Sequence, residues 1–124
     1  MYKFTLPIYG VIKKGGLSLN WYRNAHYQSS NSAKKKFKKM IKPQLDMFDK
    51  IETPIKIKYV YYAKANNNPD LDNFVSVARK FFQDALVESG LIEDDNVNFI
   101  VANSEKYGGI DRANPRIEVE IVSA

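Results

Sequence analysis

The stretch IKIKYVYYAKANNNPDLDNFVSVARKFFQDALVESG (residues 55–90) changes its hydrophobic period part-way, and that change decides the fold. From Ile55 to Tyr62 apolar and polar residues alternate, which predicts a strand over residues 54–65 with one face in the core. Asn66-Asn67-Asn68-Pro69 breaks it. From Asp70 to Ser89 the apolar residues Leu71, Phe74, Val75, Ala78, Phe81, Phe82, Ala85 and Leu86 recur at helical spacing, and Gly90 stands where a helix C-cap is wanted. Upstream, Thr5 to Ile12 is rich in β-branched and aromatic residues and predicts a first strand. Leu17 to Ser32 has no sustained period and reads as a loop of sixteen residues, long enough to suggest a function. Ser32 then reads as the N-cap of a helix over 33–50, with Pro43 kinking or breaking it at Lys42. Downstream, residues 97–102 and 115–122 predict two more strands, separated by the turn chemistry of Tyr107-Gly108-Gly109, Asp111 and Asn114. The expected fold is α+β: one small domain over residues 1–124, with a mixed or antiparallel sheet packed by two main helices.

Composition excludes several chemistries. There is no cysteine, hence no disulfide, thiolate zinc site, iron–sulfur cluster or cysteine nucleophile. His26 is the single histidine, so no site can use two imidazoles. No stretch approaches the ~20 apolar residues of a membrane span and the start lacks a signal peptide, which predicts a soluble intracellular protein. The net charge of +5 hides an asymmetry: residues 1–69 carry 14 Lys and Arg against 3 Asp and Glu, whereas residues 70–124 carry 5 against 11. A basic half suits a polyanion and a clustered acidic half suits a cation, although solvated surface accounts for the same counts.

Two groups of carboxylates stand out. Asp70 and Asp72 open the second helix, and Glu93-Asp94-Asp95 follow Gly90. Asp is an ordinary N-cap, but only one residue can fill that position. Oxygen-only ligands point to Mg²⁺ or Mn²⁺ rather than zinc, and the offsets of a calcium loop are missing. At 100° per residue, Asp72, Ser76 and Lys80 fall within about 80° of one another, away from the apolar stripe. Lys80 there either solubilises the surface or reaches a phosphate. The run Lys34-Lys35-Lys36 with Lys38 and Lys39 is either a solvated helix face or a phosphate track.

Asn68-Pro69-Asp70-Leu71-Asp72-Asn73, a helix carrying Asp84-Ala85-Leu86, and Gly90-Leu91-Ile92-Glu93-Asp94-Asp95-Asn96-Val97 together resemble the RusA family of phage-type Holliday-junction resolvases. Weaker likeness reaches Asn20-Trp21-Tyr22-Arg23 upstream and Lys106-Tyr107-Gly108-Gly109 downstream, so it spans nearly the whole chain but is specific only from Asn68 to Val97. The resemblance implies a Mg²⁺-dependent endodeoxyribonuclease, with Mn²⁺ as substitute, that cuts four-way DNA as a homodimer in the cytoplasm of a bacterial or phage-infected cell. The family's catalytic aspartates correspond to Asp70, Asp72 and Asp95, with Asp94 as a neighbouring ligand. In that role the ion would activate water and neutralise charge on the scissile phosphate. The family's helix lysine falls at Ser76 counting forward from Asp72 and at Lys80 counting back from Asp84. Lys80 is assigned the role, with Arg79 as the outside candidate. DNA contacts are expected from Lys34, Lys35, Lys36, Lys38 and Lys39 and from Arg23 and Asn20 of the polar loop. His26 is expected at the surface or on DNA, and Trp21 as a plug for the long loop in preference to an aromatic that stacks on an unpaired base. The competing readings are a DNA-binding protein without catalysis, and a metal nuclease for other branched or flap DNA.

Overall fold

The computed structural model describes residues 1–66 and 70–124; Asn67, Asn68 and Pro69, read above as the break before the second main helix, lie outside the described residues. The chain runs β1 (Tyr2–Pro7), α1 (Leu19–Asn24), α2 (Tyr27–Leu45), β2 (Ile55–Ala63), α3 (Leu71–Glu88), β3 (Ile100–Ile110) and β4 (Arg116–Ser123). The sheet has the order β1-β4-β2-β3. β2 and β3 pair in parallel, and the β4 pairings with β1 and β2 are antiparallel. The sheet is therefore mixed, and β2-α3-β3 is a crossover unit, which parallel pairing of consecutive strands requires.

β2 and β4 bury every second residue, as their alternation predicts. Their inward side chains, with Phe4 and Leu6 of β1, meet Phe37, Ile41 and Leu45 of α2 and Val75, Ala78 and Phe82 of α3. Phe82 stands edge-on to Phe4 at 5.1 Å and to Tyr59 at 6.3 Å, the geometry that the ring quadrupoles favour. On the edge strand β1, Gln44 of α2 covers the free backbone of Thr5: the Thr5 N–H donates to Gln44 Oε1 (2.7 Å) and Gln44 Nε2 donates to the Thr5 carbonyl (2.8 Å). An edge so occupied cannot template another strand at that residue.

Four expectations need correction. The first strand ends at Pro7 rather than spanning 5–12, because proline offers no N–H to continue a ladder; Ile8 to Leu17 form a looped excursion closed by the Tyr9–Gly16 bridge and a Leu17 N–H to Ile8 carbonyl bond of 2.8 Å. The loop over 17–32 is largely helical. Ser18 caps α1 by accepting from the Trp21 N–H (3.1 Å), and His26, not Ser32, caps α2, its Nδ1 accepting from the Gln28 N–H (3.2 Å). Ser29 to Ser32 are weak helix formers carried by the packing of Ala33 and Phe37 behind them. Pro43 does not break α2 at Lys42, since the helix runs on to Leu45 before ending short of Lys50. Tyr107-Gly108-Gly109 is strand, not turn: β3 extends from Ile100 to Ile110 along β2. Gly108 belongs there because a Cβ would sit 2.7 Å from Val60 Cγ1 and 2.8 Å from the Tyr62 ring.

Candidate functional site

α3 presents a candidate group at each end. At its start Asp70 is the N-cap, with Oδ1 accepting from the Asp72 N–H at 3.0 Å. That bond engages one oxygen, and the second has no hydrogen-bond partner among the described residues. Asp72 is exposed in the first turn and makes no side-chain hydrogen bond or ion pair among the described residues. Asn73 faces α1: its Oδ1 accepts from the Asn20 N–H (3.1 Å), one of the donors a helix start leaves unpaired. The side chain of Asn73 thereby docks α1 on α3. Behind it, Phe74 stacks on Tyr61 of β2 at 5.5 Å. Burial, followed by the neighbouring Tyr9 and Tyr107, pushes the Tyr61 phenol up to about 12, so it is a neutral wall for the start of α3.

The other end of α3 aims the second acidic cluster. Gly90 takes φ +80, the Gly90 N–H donates to the Val87 carbonyl (3.0 Å) and the Leu91 N–H to the Leu86 carbonyl (3.0 Å). This is a Schellman cap, and the buried Leu91 and Ile92 anchor the chain that leaves it. Beyond them Asp94 is committed to its own turn: Oδ1 accepts from the Asp95 N–H (2.7 Å) and Oδ2 from Asn96 Nδ2 (3.1 Å). Asp95 makes no side-chain hydrogen bond among the described residues and lines a cleft of about 320 Å³. Asp94 thus shapes the turn that presents Asp95.

That cleft also takes Tyr22 from α1 and Ser76, Arg79, Lys80 and Asp84 from α3. Both positions that the sequence offers for the helix lysine, 76 and 80, face it. The structure distinguishes Lys80 from Arg79. Arg79 forms an ion pair with Glu105 of β3, tying the helix to the sheet edge. Lys80 is exposed, and none of the ion pairs among the described residues includes it. Ser76 is turned back by its own hydroxyl, which donates to the Asp72 carbonyl.

The four aspartates do not converge. Among the described residues no group of three or more His, Asp or Glu could hold a metal ion. Their oxygen-only, exposed donors suit Mg²⁺ by chemistry, but the arrangement is not a preformed centre.

The lysine run is divided. Lys34 pairs with Asp84 (2.9 Å) and Glu88 (3.4 Å), and Lys38 with Glu88 (3.2 Å), so these two join α2 to α3. Lys35, Lys36 and Lys39 point to solvent, as do Arg23 and Asn20 on α1. His26 is at the surface as expected, but as a cap. Trp21 is half-buried against the core, in keeping with a plug.

A family model described as endodeoxyribonuclease RusA matches residues 12–122. The chain belongs to the RusA endodeoxyribonuclease family. No curated protein matches it in sequence. Within a RusA chain the match takes in α1 to β4 with both acidic groups and the intervening helix, so the resemblance read from residues 68–97 extends to nearly the whole fold. Sequence reasoning missed Tyr22 as a wall of the cleft and Asn73 as the link to α1. Ser18 before Leu19 was the available signal for α1, being a capping residue ahead of a short apolar and polar mixture.

Proposed function

We propose that the chain is a structure-selective endonuclease that resolves four-way DNA junctions by paired phosphodiester hydrolysis in recombination and repair. The observation that carries this reading is the cleft on α3, lined by Asp95 and Lys80 together with Tyr22 of α1, in a chain of the RusA family. Lys80 is placed to neutralise charge that develops on a scissile phosphate, a task that phosphoryl transfer assigns to positioned cations. Asp95, presented by the Asp94 turn, and Asp70 and Asp72 at the head of α3 are the carboxylates proposed to serve catalysis. Mg²⁺, with Mn²⁺ as substitute, is the proposed cofactor; one or two of these carboxylates would hold it, with waters and the substrate phosphate completing its shell. A junction is nearly two-fold symmetric and needs two opposed cuts, which favours a homodimer with one site per subunit.

The test is cleavage of a synthetic four-way junction against linear duplex of the same sequence, with Mg²⁺ and with EDTA. Symmetric paired cuts in the junction alone, dependent on Mg²⁺, are expected. Equal cutting of the duplex would replace junction selectivity with general nuclease activity, and binding without any cutting would make this a DNA-binding protein.

A further inference from the structure

An open groove of about 420 Å³ lies between the loop after β1 and the first half of α2. Its walls come from separate parts of the chain: Lys13 from the loop, Trp21 from α1, and Gln28, Ser29, Ser32 and Lys36 from α2. No acidic residue lines it, and none of the ion pairs among the described residues includes either lysine. The contrast with the neighbouring cleft is plain, since Arg79 and Lys80 share that space with Asp84 and Asp95. The deficit of acid extends well beyond the groove. Residues 1–45, which make β1, α1, α2 and their connections, contain ten Lys and Arg and no Asp or Glu; of these, Lys34 and Lys38 are taken up by Asp84 and Glu88 of α3, and Lys13 and Lys36 are in none of the ion pairs among the described residues.

Two lysines from separate parts of the chain present compact charges on flexible stems, and the two serines and the glutamine of the same lining add hydrogen-bond donors. Trp21 gives the lining a flat apolar surface. Phosphates spaced along a backbone, with sugars between them, match that alternation of charge, hydroxyl and aromatic ring. We propose that this groove binds the phosphodiester backbone of DNA, with Lys13 and Lys36 on phosphates, Gln28, Ser29 and Ser32 donating to phosphate oxygens, and Trp21 against a deoxyribose. The choice of DNA over another polyanion rests on the nuclease reading. α1 connects the two places: Trp21 faces the groove, Tyr22 lines the cleft beside Asp95, and their rings are 6.4 Å apart. A strand held in the groove is thereby led across α1 toward Lys80.

Trp21 is the only tryptophan, so its emission reports on the groove directly. The protein is titrated with a four-way junction and with linear duplex in EDTA, where cleavage is suppressed. Saturable change of Trp21 emission is expected with DNA. In the Lys13→Gln/Lys36→Gln variant, the slope of log affinity against log salt should flatten by about two units, at roughly 0.9 for each phosphate no longer neutralised. A Lys56→Gln variant, changed on β2 and outside the groove lining, should keep the wild-type salt slope. DNA binding that leaves Trp21 emission unchanged, an unaltered salt slope in the first variant, or no DNA binding at all would each overturn the proposal. Failure to cut the junction with Mg²⁺ would instead sink the nuclease reading and leave this binding result standing.

Discussion

Asp70 carries two duties that a single substitution can separate. As N-cap it satisfies the Asp72 N–H, and as a carboxylate it puts negative charge at the proposed site. Asparagine caps a helix about as well as aspartate, whereas alanine loses the cap at a cost of about 1 kcal/mol. Asp70→Asn should therefore abolish junction cleavage with its melting temperature unchanged and its junction affinity equal or higher, because charge that repels phosphate is gone. Asp70→Ala should lose cleavage and a few degrees of melting temperature as well. Calorimetry and gel-based cleavage on the two variants check this, and near wild-type cleavage by Asp70→Asn at saturating Mg²⁺ would remove Asp70 from the site. The same residue-scale logic distinguishes Asp95 from Asp94. Both oxygens of Asp94 already accept hydrogen bonds in the turn, while the Asp95 side chain faces the cleft.

α2 and α3 are joined by charge as well as by apolar packing, and this makes one pH effect calculable in sign. Glu88 is pushed up by desolvation, but its hydrogen bond to Lys38 and the charges of Lys34 and Lys38 outweigh that and hold it below its ordinary value of 4.5. A carboxyl depressed by folding contributes stability above its unfolded value and loses it as pH falls through the folded one. Lys34, raised above 10.5 chiefly by its hydrogen bond to Asp84, contributes below that value and loses its contribution as pH rises past it. Glu88→Gln should thus melt slightly below wild type from about pH 5 to pH 9, with an exposed pair worth roughly 0.2–1 kcal/mol, and the gap should close in more acid solution. A gap that persists at pH 3 would show that Glu88 acts through packing instead. Elements of this kind also show what was legible beforehand. α3 was readable from end to end because its apolar period, its Asp70 cap and its Gly90 stop agree. The start of α2 was not, because Ser29 to Ser32 disfavour helix locally and only tertiary packing makes them helical. α1 has six residues and depends on Asn73, fifty-three positions from Asn20, for one of its N-terminal bonds. β3 exposes most of its side chains and takes its order from the parallel ladder with β2, so its sequence shows no period. At the site, the motif singled out the candidate residues, whereas the pairing of Arg79 with Glu105 became visible only in the fold, since no local pattern links Glu105 to α3.

Taken whole, the chain is polarised in sequence: the acid-free segment that makes β1, α1 and α2 precedes two groups of candidate carboxylates, one at each end of α3. On the proposed reading the two groups serve one site per chain, and a four-way junction has two strands to cut. If the active species is a homodimer, each subunit serves one strand, and losing one site leaves a nick where two cuts are required. Wild-type chains co-expressed with an excess of Asp70→Asn should pair mostly with the inactive partner. On a supercoiled plasmid carrying an extruded cruciform, such mixed dimers should convert paired cuts into single nicks, giving relaxed circles in place of linear product. The ratio of nicked to linear DNA should rise steeply with the proportion of Asp70→Asn, since the paired-cut product requires two active subunits on one junction. A ratio that stays constant as the mutant increases would mean that chains act one at a time, and the proposed symmetry of the active species would fall with it.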